Sequence, residues 1–205
     1  MSWAGEPEVV KAVREALGAS DVVSSVVLGG SRAAGSATEL SDWDIYVEGE
    51  PEEMMAEIPA LVASLGPLAA FWEPLSEAAG YMVVMVGPTK IDVFPLGARR
   101  HIQPPWRLDA DSLPAIDAHF WDWTLWLGGK SLRGEWGLVA DELDKMYRFL
   151  LAPVGVATAP TSLDEAVASY LRARQQAVDS LGVVVQGELG RQVSEALRRH
   201  VLLVN

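Results

Sequence analysis

Apolar residues in the first half of the chain recur with a helical period in some segments and form short, strand-like runs in others. Apolar positions at 9, 10, 13 and 17 are spaced as on one face of a helix, which Gly18 is expected to end. The run Val22–Gly30 is short and apolar, so it predicts a buried strand that leads into a glycine turn. The same criteria predict a helix over 31–37, a strand over 42–48, an amphipathic helix over 51–65, a strand over 68–72 and a hairpin formed by 81–86 and 90–96.

Pro59 conflicts with the amphipathic helix predicted over 51–65. Proline lacks the backbone N–H that an α-helix uses, and its ring clashes with the preceding turn. The sequence therefore predicts either a kink at this position or two shorter helices.

Beyond His101 the pattern changes, and the segment Gln-Pro-Pro-Trp at 103–106 is typical of a linker. After this segment, apolar residues recur with helical spacing, and helices are predicted over 111–127, 136–151, 162–181 and 188–203. The pattern therefore predicts an α+β first domain, residues 1–105, followed by an all-helical second domain, residues 106–205.

The composition of the chain limits the classes of protein to which it can belong. The chain has 205 residues, of which 50% are hydrophobic, which is enough for one large domain or two small ones. No apolar run approaches the roughly 20 residues of a membrane-spanning helix, and the first residues lack the basic and apolar regions of a secretory signal. The absence of cysteine excludes disulfides and zinc sites built on thiolates. These features predict a cytoplasmic protein with no membrane partner.

Acidic residues are concentrated in the first domain. The chain carries a net charge of −12, and residues 1–105 hold 6 Lys+Arg against 15 Asp+Glu, a net charge of −9. Because binding to nucleic acid depends on Lys and Arg that neutralise phosphates, no nucleic-acid partner is expected. The negative charge instead favours a cationic ligand, although acidity that serves solubility alone is about as consistent with these counts.

Three carboxylates are predicted to lie on one face of the sheet. Asp42 and Asp44 are two residues apart on a predicted strand, so their side chains point to the same face. Asp92 lies between two apolar residues of a later strand, which are expected to face the core and to leave its carboxylate on the opposite face. Three carboxylates placed in this way repel each other unless cations compensate them. Their oxygens suit Mg²⁺ or Mn²⁺ bound together with substrate phosphates.

A glycine turn precedes the first two carboxylates. Gly29, Gly30 and Ser31 lie between a predicted strand and a predicted helix start. Glycine lets the backbone approach a phosphate closely, and a helix N-terminus offers N–H groups. The Ser31 hydroxyl adds a donor, and the Arg32 guanidinium is placed to reach a triphosphate. These four residues are candidates for binding the phosphates of a ligand, while Ser31 is also typical of a helix N-cap.

Taken in order, the segments GGSRAAGSATELSDWDIYV and KIDVF resemble the signature of the DNA polymerase beta-like nucleotidyltransferase superfamily. That signature is a glycine-serine turn, an Asp-x-Asp strand about a dozen residues later and a third Asp on a subsequent strand, and here it covers residues 22–95. The resemblance implies a mixed sheet with flanking helices, followed by a helical domain. It implies Asp42 and Asp44 as metal ligands, Asp92 as a metal ligand or the general base, and ATP as the co-substrate.

Lys130 is a candidate contact to the nucleotide phosphates from the helical domain. Members of the superfamily with such a domain often use a lysine there, although a basic residue at a helix C-terminus that interacts with the macrodipole explains it equally well. The segment Gly128–Ser131 also resembles the end of a P-loop. Thr124 stands where a P-loop needs glycine, and a helix rather than a strand is predicted before it, so a P-loop is excluded.

The predicted two-domain layout resembles aminoglycoside and lincosamide nucleotidyltransferases. This resemblance implies transfer of AMP from ATP to a hydroxyl of a small, cationic acceptor such as an aminoglycoside-like antibiotic, and hence a role in antibiotic resistance. Two alternatives remain open. One is an antitoxin-like nucleotidyltransferase that modifies or binds a protein partner, and the other is a catalytically silent nucleotide-binding protein.

Overall fold

The computed structural model of the protein describes residues 3–200. The chain forms two compact units, one up to Gln103 and one from Pro104. Among residues 3–200, none of the helices combines the length and the apolar composition of a membrane-spanning segment.

The first unit is a five-stranded sheet with helices. Its helices are α1 (Glu8–Gly18), α2 (Gly30–Ala33) and α3 (Pro51–Ala63). Its strands are β1 (Val23–Leu28), β2 (Trp43–Gly49), β3 (Ala69–Trp72), β4 (Tyr81–Met85) and β5 (Thr89–Pro95). The strands are ordered β1-β2-β5-β4-β3, with β2 and β5 parallel and the other neighbouring pairs antiparallel. The predicted mixed sheet is therefore confirmed.

One face of this sheet is buried against α1 and α3. Apolar side chains from both helices and from β2, β4 and β5 form one cluster: Val10, Val13, Leu17, Trp43, Ile45, Val47, Met54, Ile58, Val62, Tyr81, Val83, Met85, Ile91 and Val93. Because side chains alternate between faces along a strand, the other residues of β2 and β5 point away from this cluster. That second face carries Asp44 of β2 and Asp92 of β5.

α3 is continuous across Pro59, so the alternative of two shorter helices is wrong. Ile58 and Val62 are buried on either side of the proline in the sequence. Their contact with the core offsets the backbone hydrogen bond that proline removes.

α2 is shorter than predicted. The helix expected over 31–37 is a single turn that ends at Ala33. Gly35 then has a φ of 70°, a left-handed conformation that a helix cannot continue through, and residues 34–42 form neither helix nor strand. The dipole of so short a helix adds little to the anion site expected at its N-terminus.

The second unit is helical, as predicted. It contains α4 (Ser112–Leu132), α5 (Trp136–Met146), a π-helical segment (Tyr147–Leu151), α6 (Leu163–Leu181) and α7 (Glu188–His200). α4 extends past its predicted end at 127, because Gly128 and Gly129 lie inside the helix and are buried rather than ending it. The predicted last residues of the final helix, 201–203, lie outside the described part of the chain.

Candidate metal centre

Three carboxylates lie together on the polar face of the sheet. Asp42 immediately precedes β2, Asp44 lies on β2, and Asp92 lies on β5. Asp44 and Asp92 are paired across the two parallel strands, and an oxygen from each of the three carboxylates lies within 4.8 Å of the others. Asp42 and Asp92 are only 8% and 5% exposed. Negative charges this close to each other require a compensating cation.

Strand alternation explains why Asp44 and Asp92 share a face. Trp43 and Ile45, the residues on either side of Asp44, are 2% and 0% exposed and belong to the core. Ile91 and Val93, on either side of Asp92, are both 0% exposed. The apolar neighbours thus fix the orientation of the acidic side chains, as the sequence predicted.

Lys90 contributes a cation that the sequence analysis missed. Its Nζ donates to Oδ1 of Asp92 at 2.7 Å, and its side chain is 3% exposed. Lys90 precedes Asp92 by two residues, so the alternation that places Asp92 on the polar face places Lys90 there too. This two-residue spacing was sufficient to predict Lys90 as a neighbour of Asp92 from the sequence. One ammonium against three carboxylates leaves the group net negative, which fits a divalent cation with oxygen ligands.

Gly29 and Gly30 allow the turn after β1 to lie directly against β2. Gly30 has a φ of 57°, and a Cβ added there would lie 1.7 Å from Oδ2 of Asp44. A Cβ added at Gly29 would lie 2.1 Å from Cε2 of Tyr46. A side chain at either position would collide with Tyr46 or Asp44, so the packing of the protein itself favours glycine at both. The phosphate contact expected of them remains a prediction.

The Ser31 hydroxyl is buried, and its Oγ has no hydrogen-bond partner among the described residues. Ser31 lies inside α2, whose N-cap position is Gly29 and has no side-chain cap bond, so the N-cap interpretation of Ser31 is wrong. A buried hydroxyl without a partner is unfavourable. A ligand oxygen at the turn would satisfy it.

Arg32 contacts the backbone that leads into β2. Its Nε donates to the carbonyl oxygen of Asp42 at 3.0 Å, and its Nη2 donates to that of Ser41 at 2.6 Å. Its Cζ lies 4.1 Å from the centroid of the Trp43 ring. Burial lowers the pKa of Arg32, and the carboxylates of Asp42 and Asp44 oppose this shift. The role of Arg32 as a triphosphate ligand remains a prediction.

An aromatic pair continues the polar face beyond the carboxylates. Tyr46 and Phe94 follow Asp44 and Asp92 by two residues, and their rings stack with centroids 5.2 Å apart and planes at 26°. Both are half-buried. Burial, and then the negative charge of the three carboxylates, raises the pKa of the Tyr46 phenol. This pair was not among the candidate residues predicted from the sequence, although the same two-residue spacing indicates it.

Lys130 lies in the last turn of α4, within the second unit. Its Nζ is 4.7 Å from the centroid of the Trp126 ring, in a cation–π arrangement. Its proposed contact with the nucleotide phosphates remains a prediction.

Three solved structures are similar to this chain at low sequence identity and with TM-scores below 0.5. An aminoglycoside 6-adenyltransferase from Bacillus subtilis is 11% identical with a TM-score of 0.39, over 95% of this chain and 98% of its own. A cytoplasmic RNA terminal U-transferase is 15% identical with a TM-score of 0.38, over 70% of this chain and 43% of its own. The CD-NTase CdnG of Bradyrhizobium diazoefficiens, in complex with GTP, is 13% identical with a TM-score of 0.34, over 87% of this chain and 59% of its own.

At the level of sequence, residues 7–87 match the family described as nucleotidyltransferase domain. No curated protein sequence matches the chain significantly. The matched segment includes the glycine turn, Asp42 and Asp44, and Asp92 follows just beyond it on the strand paired with β2. The chain therefore carries a nucleotidyltransferase domain of the DNA polymerase beta-like type, with an Asp-x-Asp…Asp acidic triad.

Proposed function

We propose that this protein is a metal-dependent nucleotidyltransferase that transfers AMP from ATP to a hydroxyl of a small acceptor. The observation that carries the proposal is the acidic triad, whose oxygens lie within 4.8 Å of one another. Oxygen ligands with this combined charge fit Mg²⁺ or Mn²⁺ bound jointly with phosphates. When bound, such ions neutralise the triphosphate and favour alignment of the attacking and leaving oxygens.

In the proposed reaction, the oxygen of the acceptor hydroxyl forms a bond to the α-phosphorus of ATP. The bond from that phosphorus to the bridging oxygen breaks, and pyrophosphate leaves with the electron pair. Asp42 and Asp44 are the proposed metal ligands. Asp92 either accepts the proton of the hydroxyl or serves only as a third ligand, in which case the proton passes to solvent water. The Lys90 ammonium, 2.7 Å from Oδ1 of Asp92, orients that carboxylate.

The glycine turn is the proposed binding site for the pyrophosphate part of the nucleotide. Gly29 and Gly30 bring the backbone of the turn directly beside β2 and Asp44. Ser31 offers a buried hydroxyl without a partner in the described residues. A phosphate oxygen that accepts from this hydroxyl would remove an unfavourable buried polar group.

The proposed acceptor is small and cationic, such as an aminoglycoside-like antibiotic. The net charge of −9 over residues 1–105 supports this class, because it attracts amines and repels polyanions. Bound metal ions cancel much of the charge of the triad. The support therefore comes from the other acidic residues, among them Glu48 at the end of β2 and Glu52 and Glu53 on α3, all exposed.

The test is pyrophosphate release from ATP with Mg²⁺ in the presence of a panel of acceptors. The panel pairs aminoglycosides with neutral sugars and other hydroxyl compounds, and GTP, CTP and UTP replace ATP in parallel reactions. Release that depends on both Mg²⁺ and a cationic acceptor, and that is absent in Asp44→Asn, is the expected result. Nucleotide binding without release under all conditions would favour a silent nucleotide-binding protein, and a stoichiometric protein that copurifies would favour the antitoxin-like alternative.

A further inference from the structure

Asp42 differs from the other two carboxylates in how its backbone is held. Asp44 and Asp92 lie on β2 and β5, where they are paired residues of one parallel ladder. Asp42 lies before the first residue of β2, at the end of an irregular segment, 34–42. The sheet therefore does not fix the position of Asp42 in the way that it fixes Asp44 and Asp92.

The Arg32 guanidinium supplies contacts at this point. Its Nε donates to the carbonyl oxygen of Asp42 at 3.0 Å, and its Nη2 donates to the carbonyl oxygen of Ser41 at 2.6 Å. Two donors of one rigid, planar group thus hold two successive carbonyl groups of the backbone. The peptide that carries Asp42 is joined in this way to α2.

The Arg32 guanidinium is itself held by an aromatic ring of the core. Its Cζ lies 4.1 Å from the centroid of Trp43, which is 2% exposed. Trp43 stacks in turn with Trp3, with centroids 6.3 Å apart and planes at 14°. A cation–π contact with a desolvated ring is among the stronger interactions of this kind. The guanidinium is therefore restrained on the ring side as well as on the carbonyl side.

We propose that Arg32 is a positioning residue, which holds the Asp42 backbone where its carboxylate meets those of Asp44 and Asp92. This inference rests on the proposed function, in which Asp42 is a metal ligand. It assigns Arg32 to the protein backbone rather than to the phosphates of the nucleotide. Loss of Arg32 then weakens metal binding in the absence of any nucleotide.

Two substitutions separate this role from a contact with phosphate. Arg32→Lys keeps the positive charge but cannot bind two carbonyl groups and stack on Trp43 at the same time. Arg32→Met keeps a side chain of similar length without charge. A positioning role predicts that both variants bind Mn²⁺ about 10-fold to 100-fold more weakly than the wild type, the range known for groups that orient metal ligands. A direct contact with phosphate predicts unchanged Mn²⁺ affinity, and an affinity for ATP that lysine largely restores.

Arg100 provides a matched control. It is also half-buried, and its Cζ lies 5.4 Å from the centroid of Trp72, on the edge strand β3. Arg100→Met removes an arginine–tryptophan contact of the same unit without touching the backbone at Asp42. This variant should bind Mn²⁺ as the wild type does.

In the experiment, the full chain is titrated with Mn²⁺ alone, and free Mn²⁺ is measured by its electron paramagnetic resonance signal. Thermal unfolding of each variant checks that it is folded. The expected result is equal weakening in Arg32→Lys and Arg32→Met, in folded proteins, and wild-type affinity in Arg100→Met. If Arg32→Met does not fold, Arg32→Lys gives the same comparison. Wild-type Mn²⁺ affinity in the folded Arg32 variants, or an equal loss in Arg100→Met, would overturn the inference. A wild-type protein that binds Mn²⁺ only together with ATP would also overturn the inference. A wild-type protein that binds Mn²⁺ neither alone nor with ATP would overturn the proposed function itself, and that failure is recognised because it precedes any substitution.

Discussion

Asp42 and Asp44 have carboxylate oxygens within 4.8 Å of each other and of Asp92, so replacing either by asparagine removes one of three like charges. Asp42→Asn and Asp44→Asn should therefore abolish turnover and weaken Mn²⁺ binding without lowering Tm in metal-free buffer. Thermal unfolding and Mn²⁺ titration of the two variants provide the check. Wild-type turnover in either variant would contradict the assignment.

Gly30 and Gly35 share a left-handed backbone, with φ of 57° and 70°, but differ in their surroundings. A Cβ at Gly30 would lie 1.7 Å from Oδ2 of Asp44, whereas a Cβ at Gly35 has nothing within 4 Å. Gly35→Ala should cost only the strain of the left-handed conformation, about 1–2 kcal/mol. Gly30→Ala should lower Tm further and weaken Mn²⁺ binding, because Asp44 must move. Equal Tm values and equal Mn²⁺ affinities in the two variants would show that the turn does not constrain Asp44.

Ser31 has a buried hydroxyl without a partner in the described residues. Ser31→Ala should leave Tm unchanged or raise it, since no internal hydrogen bond is lost. It should weaken ATP binding in the presence of Mg²⁺ by about 1.5–3 kcal/mol, the contribution of a hydrogen bond to a charged group. Calorimetric titration with ATP measures this change. A lower Tm with unchanged ATP affinity would assign the hydroxyl to the fold alone.

Strand β5 brings Lys90 and Asp92 to the same face, with Nζ 2.7 Å from Oδ1 and both side chains less than a tenth exposed. Lys90→Met leaves Asp92 without this cation beside two other carboxylates, and breaking a buried pair in this way costs about 3–5 kcal/mol. The variant should unfold at a lower temperature than the wild type, and Mg²⁺ should raise its Tm by more than it raises that of the wild type. Thermal unfolding with and without Mg²⁺ tests this. An identical response to Mg²⁺ in both proteins would show that Lys90 does not compensate the triad.

At the scale of helices and strands, periodicity predicted the sheet elements and the face on which Asp44 and Asp92 lie. The signal was strong because apolar neighbours such as Ile91 and Val93 are fully buried. The interruptions and ends of helices were predicted less well. Pro59 did not divide α3, and two glycines did not end α4, since burial against neighbouring elements outweighed local preference.

The contacts within the candidate site were harder to predict from the sequence. The hydrogen bonds of Arg32 to the carbonyl groups of Ser41 and Asp42 depend on the path of an irregular segment, which has no periodicity. The close approach of Gly30 to Asp44 likewise depends on how two elements pack. The pair of Lys90 and Asp92 was accessible from the sequence, because residues two apart on a strand share a face.

For the whole molecule, net charge is the property that bears on the acceptor. The −9 carried by residues 1–105 predicts that a cationic acceptor binds more weakly as salt rises through about 0.1 M and above. Calorimetry across a salt series, with tRNA as the competing ligand, measures this dependence. Tight binding of tRNA, or a neutral acceptor whose affinity does not depend on salt, would contradict a small cationic acceptor.

The most direct test of a metal-dependent nucleotidyltransferase site is calorimetric titration of the full chain with ATP, in the presence and in the absence of Mn²⁺. This measurement requires no knowledge of the acceptor. The wild type should bind ATP tightly only with Mn²⁺, and Asp44→Asn, with one carboxylate of the triad removed, should bind ATP weakly under both conditions. Tight ATP binding by the wild type without metal, or by Asp44→Asn with metal, would contradict a metal-dependent nucleotide site at the triad.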